Sequence, residues 1–179
     1  EFSDGFEAAF VEPAGDLIFI DPGEAIQIRV QTSAPAAIVL KVDGQVVAQE
    51  EDLETLSHLL ETDQEPGERA TVVCEATSEA GAKTISFTYI VRAPSQTQNR
   101  PAGVIDGINY HEDPTRVTLC LWAPGKSSAY AVGDFSEWQI DPAFMMKKDG
   151  EHFWIELTGL EAGREYAYQY LVDEIIRIA

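Results

Sequence analysis

Apolar residues in this chain recur mainly at every second position, in short segments rich in β-branched and aromatic side chains. Turn-forming pairs such as Asp43-Gly44, Pro66-Gly67 and Asp149-Gly150 separate these segments. Alternation with period two is typical of a strand with one buried face, and short strands broken by Gly and Pro are typical of antiparallel sandwiches. The predicted strands are residues 26–32, 37–43, 70–76, 84–92, 116–123, 153–159 and 166–173.

One segment, residues 50–62, allows two interpretations. Leu53, Leu56 and Leu60 have helical spacing, so the segment could be an amphipathic helix. The run from Leu56 to Leu60 could equally be a strand, and the sequence leaves both open.

A change of composition divides the chain. Residues 93–103 contain two prolines and no large apolar side chain, which is typical of a linker. The predicted fold is therefore all-β, with two immunoglobulin-like β-sandwich domains in tandem. The expected boundaries are residues 1–93, a linker at 94–102, and residues 103–179.

The net charge of the chain indicates which classes of ligand it is expected to bind. Twelve basic residues against 31 acidic ones give 12 − 31 = −19, while 45% hydrophobic residues match a folded protein. Such an acidic surface repels phosphate backbones, so no nucleic acid is expected. No apolar run reaches the ~18 residues of a membrane span. We expect a monomer without a cofactor.

Two cysteines occur, Cys74 and Cys120, one in each predicted domain and each within a strand-like run. A disulfide between them would have to cross domains, and buried thiols are common in cores. We therefore expect two buried, unreactive thiols.

The first domain contains a predicted two-residue hairpin at Asp43-Gly44 and, from Pro66-Gly67 onward, a strand, a turn and a final strand. This order resembles extracellular bacterial immunoglobulin-like domains, which implies a spacer, a docking surface or, less often, a sugar binder. The acids Glu50, Glu51 and Asp52 could bind calcium. A solvated acidic loop is the preferred interpretation, because calcium needs six or more oxygens arranged around it.

The second domain carries more specific motifs. Residues 116–138 read RVTLCLWAPGKSSAYAVGDFSEW, and Asp149-Gly150, Gly159-Leu160 and Tyr166-Ala167-Tyr168-Gln169-Tyr170 follow. This order resembles the early-set β-sandwich known as carbohydrate-binding module family 48, and it is similar to the glycogen-binding domain of AMP-activated kinase. The resemblance implies a module that precedes the catalytic barrel of α-amylase-family (family 13) glycoside hydrolases, pullulanases or branching enzymes.

The opening of that domain, residues 100–125, most resembles secreted α-amylase-type proteins of gut Bacteroidetes. The resemblance implies an extracytoplasmic location, an α-glucan ligand and a catalytic barrel of the same chain as partner. The sequence begins at Glu1 rather than Met and stops at Ala179 after a strand-like run. We therefore expect a processed or engineered segment, with the targeting signal and the barrel outside it.

Three residues are candidates for carbohydrate binding. Trp138 follows a loop of small and polar residues where core packing gives no reason for a large aromatic, and flat aromatic rings suit the apolar faces of pyranoses. Alternatively, Trp138 covers the sandwich edge. Trp154 points away from Phe153 and Ile155, and it is either a second exposed aromatic or, the preferred reading, part of a domain interface. Gln169 occupies the family's lysine position.

The chain departs from the family pattern in ways that imply weak sugar binding or none. Gln169 replaces the lysine, Ser136 stands where asparagine is usual, and Ile175-Ile176 occupy the region of the second tryptophan. The alternative function is a structural spacer and interaction module that binds no sugar. The tyrosine stripe at 166, 168 and 170 is preferentially interpreted as half-buried sheet packing.

No catalytic or metal site is expected in this segment. A glycosidase needs two carboxylates about 5–10 Å apart across the scissile bond, and no acid here occupies a motif of the α-amylase barrel. His58, His111 and His152 lack metal-ligand spacing, and no G-x-S-x-G elbow is present. The resemblance places the nucleophile and the acid/base of the parent hydrolase beyond Ala179.

Overall fold

The computed structural model describes residues 5–178, with the side chains of 175–178 outside the description. The described residues form strands and two short 3-10 helices, Asp134–Ser136 and Pro142–Phe144. The all-β fold class is therefore confirmed. The chain divides into two compact units, Glu1–Arg92 and Ala93–Ala179.

The first unit is a single sheet that folds over its own core. Its order is β1-β3-β5-β6-β2, with β4 paired to β3. All pairs are antiparallel except β2 with β6, which is parallel. The strands are β1 (Ala8–Glu12), β2 (Leu17–Ile20), β3 (Ile26–Val42), β4 (Gln45–Leu60), β5 (Arg69–Ser78) and β6 (Gly81–Val91).

Strand β3 is one long strand where the sequence predicted two. Its first part pairs with β1 and its last part with β5, while β4 accompanies both parts. The pairing with β4 shifts register between Gln31 and Ala36. Buried positions nevertheless continue to alternate through Thr32, Ala36 and Ile38. The small residues between the two predicted segments therefore shift the register with β4 without ending the strand.

Strand β4 resolves the ambiguous segment 50–62. It is extended as far as Leu60, with Leu56 and Leu60 buried against the core and Leu53 partly exposed. The helical interpretation of residues 50–62 is therefore wrong, and the strand interpretation is confirmed. Burial with period two fits Leu56 and Leu60, and pairing with β3 satisfies the backbone hydrogen-bonding groups.

The turn between β3 and β4 confirms the predicted hairpin. Asp43 has φ 47° and Gly44 has φ 83°, and a two-residue type I′ turn requires positive φ at both positions. The Asp43 carboxylate also accepts a hydrogen bond from the Thr71 N–H at 2.9 Å. The turn is thereby fixed to strand β5.

The core of the first unit consists of alternate residues from the facing parts of the sheet. Phe10 and Phe87 lie edge to face with ring centroids 5.0 Å apart. Each fully buried large apolar side chain contributes roughly 1.5–3 kcal/mol. The largest buried side chains of this core are Ile28, Val30, Ile38, Leu40, Val72, Phe87, Tyr89 and Val91.

The second unit is a sandwich of two sheets, with the orders β10-β11-β8-β7 and β13-β12-β9. Leu119 and Phe153 of the first sheet and Ala131 and Tyr170 of the second belong to one buried cluster. The strands are β7 (Gly107–Tyr110), β8 (Val117–Trp122), β9 (Ala129–Gly133), β10 (Lys147–Asp149), β11 (His152–Leu157), β12 (Tyr168–Val172) and β13 (Ile175–Ile178).

The segment expected to be a linker, residues 94–102, is attached to the second unit. Ser95 is buried, the Gln96 carbonyl accepts the Lys148 N–H at 2.8 Å, and the Gln98 N–H donates to the Lys148 carbonyl at 2.9 Å. The segment thus runs along the edge of strand β10. Side chains contribute as well: the Arg100 guanidinium forms an ion pair with the Asp149 carboxylate of β10 at 3.5 Å, and the Ser95 hydroxyl accepts the Ala129 N–H at 3.2 Å.

Both cysteines are buried and free, as expected. Burial, and secondarily Glu75, raises the pKa of the Cys74 thiol to about 11. Burial also raises the pKa of Cys120, although the Arg100 guanidinium acts in the opposite direction. Thiols with raised pKa values are poor nucleophiles at neutral pH.

Candidate functional site

The candidate site is the loop after strand β9, in which a 3-10 turn precedes Trp138. Strand β9 ends at Gly133, where a Cβ atom would lie 2.4 Å from the Ala167 carbonyl oxygen and 2.8 Å from the Tyr168 Cβ. Ser136 is buried, and its hydroxyl bonds the N–H and the carbonyl of Gly133, both at 3.1 Å. Close packing and one serine therefore fix the loop to the sheet.

Asp134 connects the loop to two neighbours. One carboxylate oxygen accepts the Ala167 N–H at 2.8 Å, and the other accepts the Trp138 indole N–H at 2.8 Å. The Ala167 N–H, and next the indole N–H, hold the pKa of Asp134 below its usual range. The carboxylate is therefore ionised at neutral pH and restrains the orientation of the indole ring.

Trp138 is presented to solvent from a strained turn. Its side chain is 47% exposed. Glu137 and Trp138 have φ 51° and 60°, a left-handed conformation that costs on the order of 1 kcal/mol per residue outside glycine. The Trp138 N–H donates to the Gly133 carbonyl at 2.9 Å, which closes the turn. The indole is thus both accessible and restrained.

Gln169 lies on strand β12 at the same end of the sheet as this loop. It pairs with Val132 of β9, and its neighbour Tyr168 pairs with Gly133, from which the Trp138 loop departs. Gln169 is half-buried and follows a tyrosine that packs on the core, so its side chain belongs to the outer face. A neutral amide therefore stands where the resemblance implied a cation.

Trp154 is not an exposed platform, which corrects one interpretation of the sequence. Its side chain is only 5% exposed, and its indole N–H donates to the Gln98 carbonyl at 2.9 Å. The Lys147 ammonium lies 4.8 Å from the ring centroid. Alternation correctly placed Trp154 away from the core, but it did not predict that the Gln98 carbonyl would accept the indole N–H. Trp154 belongs to the other sheet and does not join Trp138.

The three tyrosines at positions 166, 168 and 170 lie in two different environments. Tyr170 is buried and lies 5.6 Å from Tyr168, ring centroid to centroid, and burial raises the pKa of Tyr170. Tyr166 instead precedes the strand: its hydroxyl accepts the Glu161 N–H at 2.9 Å, and the Arg164 guanidinium lies 4.9 Å from its ring. Sheet packing thus accounts for two of the three tyrosines. The side chains of Ile175 and Ile176 lie outside the described residues.

Sequence reasoning missed a groove beside the loop. The groove has a volume of about 910 Å³. Its lining includes Tyr110, Asp134, Phe135, Leu157, Arg164 and Tyr166. These residues come from four separate parts of the chain, and no spacing in the sequence brings them together.

The described part of the chain offers no group of three or more His, Cys, Asp or Glu side chains that could hold a metal ion. Glu50, Glu51 and Asp52 are exposed residues of strand β4. Within residues 5–178, no helix is long and apolar enough to cross a membrane.

No known family model matches this chain, and no curated protein is significantly similar to it. Solved structures with a partial likeness include the fibronectin(III)-like modules of CbhA from Clostridium thermocellum. That match has 14% identity and a TM-score of 0.39, and it covers 48% of this chain and 96% of the other.

Two longer proteins are also similar in part. Bacteroides uniformis beta-glucuronidase 3 is 9% identical with a TM-score of 0.37, and the match covers 99% of this chain and 25% of that chain. The pullulanase SAP of Group B Streptococcus is 10% identical with a TM-score of 0.30, and the match covers 94% of this chain and 22% of that chain. This chain thus spans about a quarter of each enzyme. With all three TM-scores below 0.5, these likenesses carry no conclusion about function.

Proposed function

We propose that this chain is a non-catalytic accessory region of an extracytoplasmic, α-glucan-acting glycoside hydrolase. The second unit binds α-glucan through Trp138, and the first unit is a spacer. The observation that carries the proposal is the half-exposed Trp138 indole, which Asp134 fixes on a strained, tightly packed turn. Backbone strain of this kind concentrates at ligand sites, and a restrained aromatic ring loses little entropy when a sugar stacks on it.

The binding we propose is weak. Trp154 is buried, and the amide of Gln169 supplies no charge, so one aromatic ring carries the contact. We expect a dissociation constant near the millimolar range, about −4 kcal/mol. Micromolar affinity for a soluble α-glucan would contradict this account.

The reaction itself belongs to the proposed parent enzyme. Its nucleophile and its acid/base would lie in an α-amylase-type barrel outside this sequence. We propose that the second unit also packs against that barrel, and that the chain is a monomer on the outer side of the cytoplasmic membrane.

A second candidate function is docking without sugar binding. Ile105, Ile108 and Tyr110 are 70%, 41% and 79% exposed, beside or within the edge strand β7. Exposed apolar side chains along a sheet edge favour contact with another protein surface. In this case soluble glucans would leave the melting temperature of the protein unchanged.

The test is electrophoresis through a native gel with and without amylopectin. We expect amylopectin to retard the wild-type protein and not Trp138→Ala. The matched control is Trp122→Ala, which removes another exposed tryptophan (56%) at the end of strand β8. Equal mobility of all three proteins in both gels would contradict sugar binding and support docking.

A further inference from the structure

The groove in the second unit is lined by residues of both sheets and of the segment that precedes β12. Ile108 and Tyr110 of the edge strand β7 line one part, and Arg164 and Tyr166 of the segment before β12 line another. The volume of about 910 Å³ lies within the range of roughly 300–1,000 Å³ typical of ligand clefts. The groove is therefore large enough for an extended ligand.

The groove is continuous with the Trp138 loop through Asp134. This residue lines the groove, and its carboxylate holds the indole N–H of Trp138 at 2.8 Å. Ala167, whose N–H binds the second carboxylate oxygen, lines the groove as well. Trp138 does not itself line the groove, and Asp134 is the residue that connects the two.

The groove wall combines aromatic rings with planar polar groups. The Arg164 guanidinium stacks 4.9 Å from the Tyr166 ring and forms an ion pair with Glu161 at 3.0 Å. Glu161 also donates its N–H to the Tyr166 hydroxyl. A guanidinium next to a carboxylate offers donors and acceptors side by side, which matches vicinal hydroxyl groups. The exposed Tyr110 ring adds a flat apolar face.

We propose that the groove binds the continuation of the glucan chain whose first sugar stacks on Trp138. This inference rests on the proposed function and adds a dependence on chain length. A short oligosaccharide contacts only the Trp138 platform, whereas a longer one also contacts Arg164 and Tyr110. The site is thus an extended subsite rather than a single platform.

The test compares maltotriose with maltoheptaose by isothermal titration calorimetry on the full chain. We expect the wild-type protein to bind maltoheptaose about tenfold more tightly than maltotriose. Tyr110→Ala and Arg164→Ala should each reduce this ratio towards one and leave maltotriose affinity unchanged. Trp122→Ala is the control, since its exposed side chain does not line the groove. The ratio of maltoheptaose to maltotriose affinity in Trp122→Ala should equal that of the wild-type protein.

The outcomes separate this inference from the proposed function. The groove proposal is overturned if Tyr110→Ala and Arg164→Ala keep the wild-type ratio of the two affinities. The Trp138 platform still stands in that case, provided that both sugars bind the wild-type protein and Trp138→Ala abolishes the binding of both. Equal affinity of the wild-type protein for maltotriose and maltoheptaose would also overturn the groove proposal and leave the platform standing. If neither sugar binds the wild-type protein, the proposed function and the groove fail together.

Discussion

At the scale of single residues, the position of Trp138 depends on the residues that hold its loop. Asp134 orients the indole, Ser136 holds Gly133, and Gly133 lets the Ala167 carbonyl approach. None of these side chains needs to touch sugar for the platform to form. Removing any one of them should disturb Trp138 indirectly.

Gly133→Ala should destabilise the second unit. Its Cβ would lie 2.4 Å from a backbone oxygen, and the contact cannot be relieved by rotating a side chain. Overpacking of this kind costs about 1–3 kcal/mol. Differential scanning calorimetry should show a lower melting temperature. The control is Gly5→Ala, where a Cβ meets nothing within 4 Å; equal melting temperatures for the two variants would contradict the packing described for Gly133.

Acid should release the Trp138 indole. The pKa of Asp134 is lowered in the folded protein, so its contribution is complete above the unfolded pKa and is lost as pH falls through the folded value. The indole N–H resonance of Trp138 should stay constant from pH 7 to about 5 and change only below about pH 4. In Asp134→Asn this titration should be absent. A midpoint near pH 6 in the wild-type protein would contradict the carboxylate tether.

At the scale of elements, the segment before the second sandwich is part of its fold. Residues 95–98 run along strand β10, and the Gln98 carbonyl accepts the indole N–H of Trp154. An unmade hydrogen bond at a buried donor costs about 1–3 kcal/mol. The expected linker is thus a structural element of the second unit.

A fragment of residues 103–179 should therefore be less stable than one of residues 93–179. Without residues 95–98, Trp154 should become exposed and its fluorescence emission should shift to longer wavelength. Urea unfolding followed by fluorescence measures both effects. Equal midpoints and equal emission maxima for the two fragments would show that the segment does not stabilise the sheet.

The strands could be predicted from the sequence because alternation depends on local burial. Residues 70–76 and 84–92 fall within or nearly within β5 and β6, and the Asp43-Gly44 turn forms as its dipeptide predicts. The short strands β1, β2, β7 and β10 were not predicted. Strands β7 and β10 are only four and three residues long, and β1 and β2 are defined by pairing with β3 and β6, which lie further along the chain. The contact between Gln98 and Trp154 was not predicted either, because the two residues are distant in sequence.

For the candidate site, too, only the features that depend on local sequence could be predicted. The exposure of Trp138 could be expected from the polar loop that precedes it. The role of Asp134 could not, because its partner Ala167 lies 33 residues away and the bond uses a backbone N–H. The groove likewise joins residues from both sheets, and only their packing brings Tyr110 and Arg164 to one cleft.

At the scale of the whole molecule, the two units differ in what they offer a ligand. Each has its own buried core. The restrained exposed tryptophan and the groove both belong to the second unit. The net charge of −19 does not oppose a neutral glucan, so the proposed binding should be insensitive to salt, as is expected of contacts between a protein and an uncharged ligand.

The most direct test of the central claim is a nuclear magnetic resonance titration of the tryptophan indole N–H groups with β-cyclodextrin. The chain has three tryptophans, so each indole resonance can be assigned by single substitution. We predict a saturable shift of the Trp138 resonance, while those of Trp122 and Trp154 stay unchanged. An unchanged Trp138 resonance up to millimolar sugar would contradict glucan binding and leave the second unit as a docking scaffold.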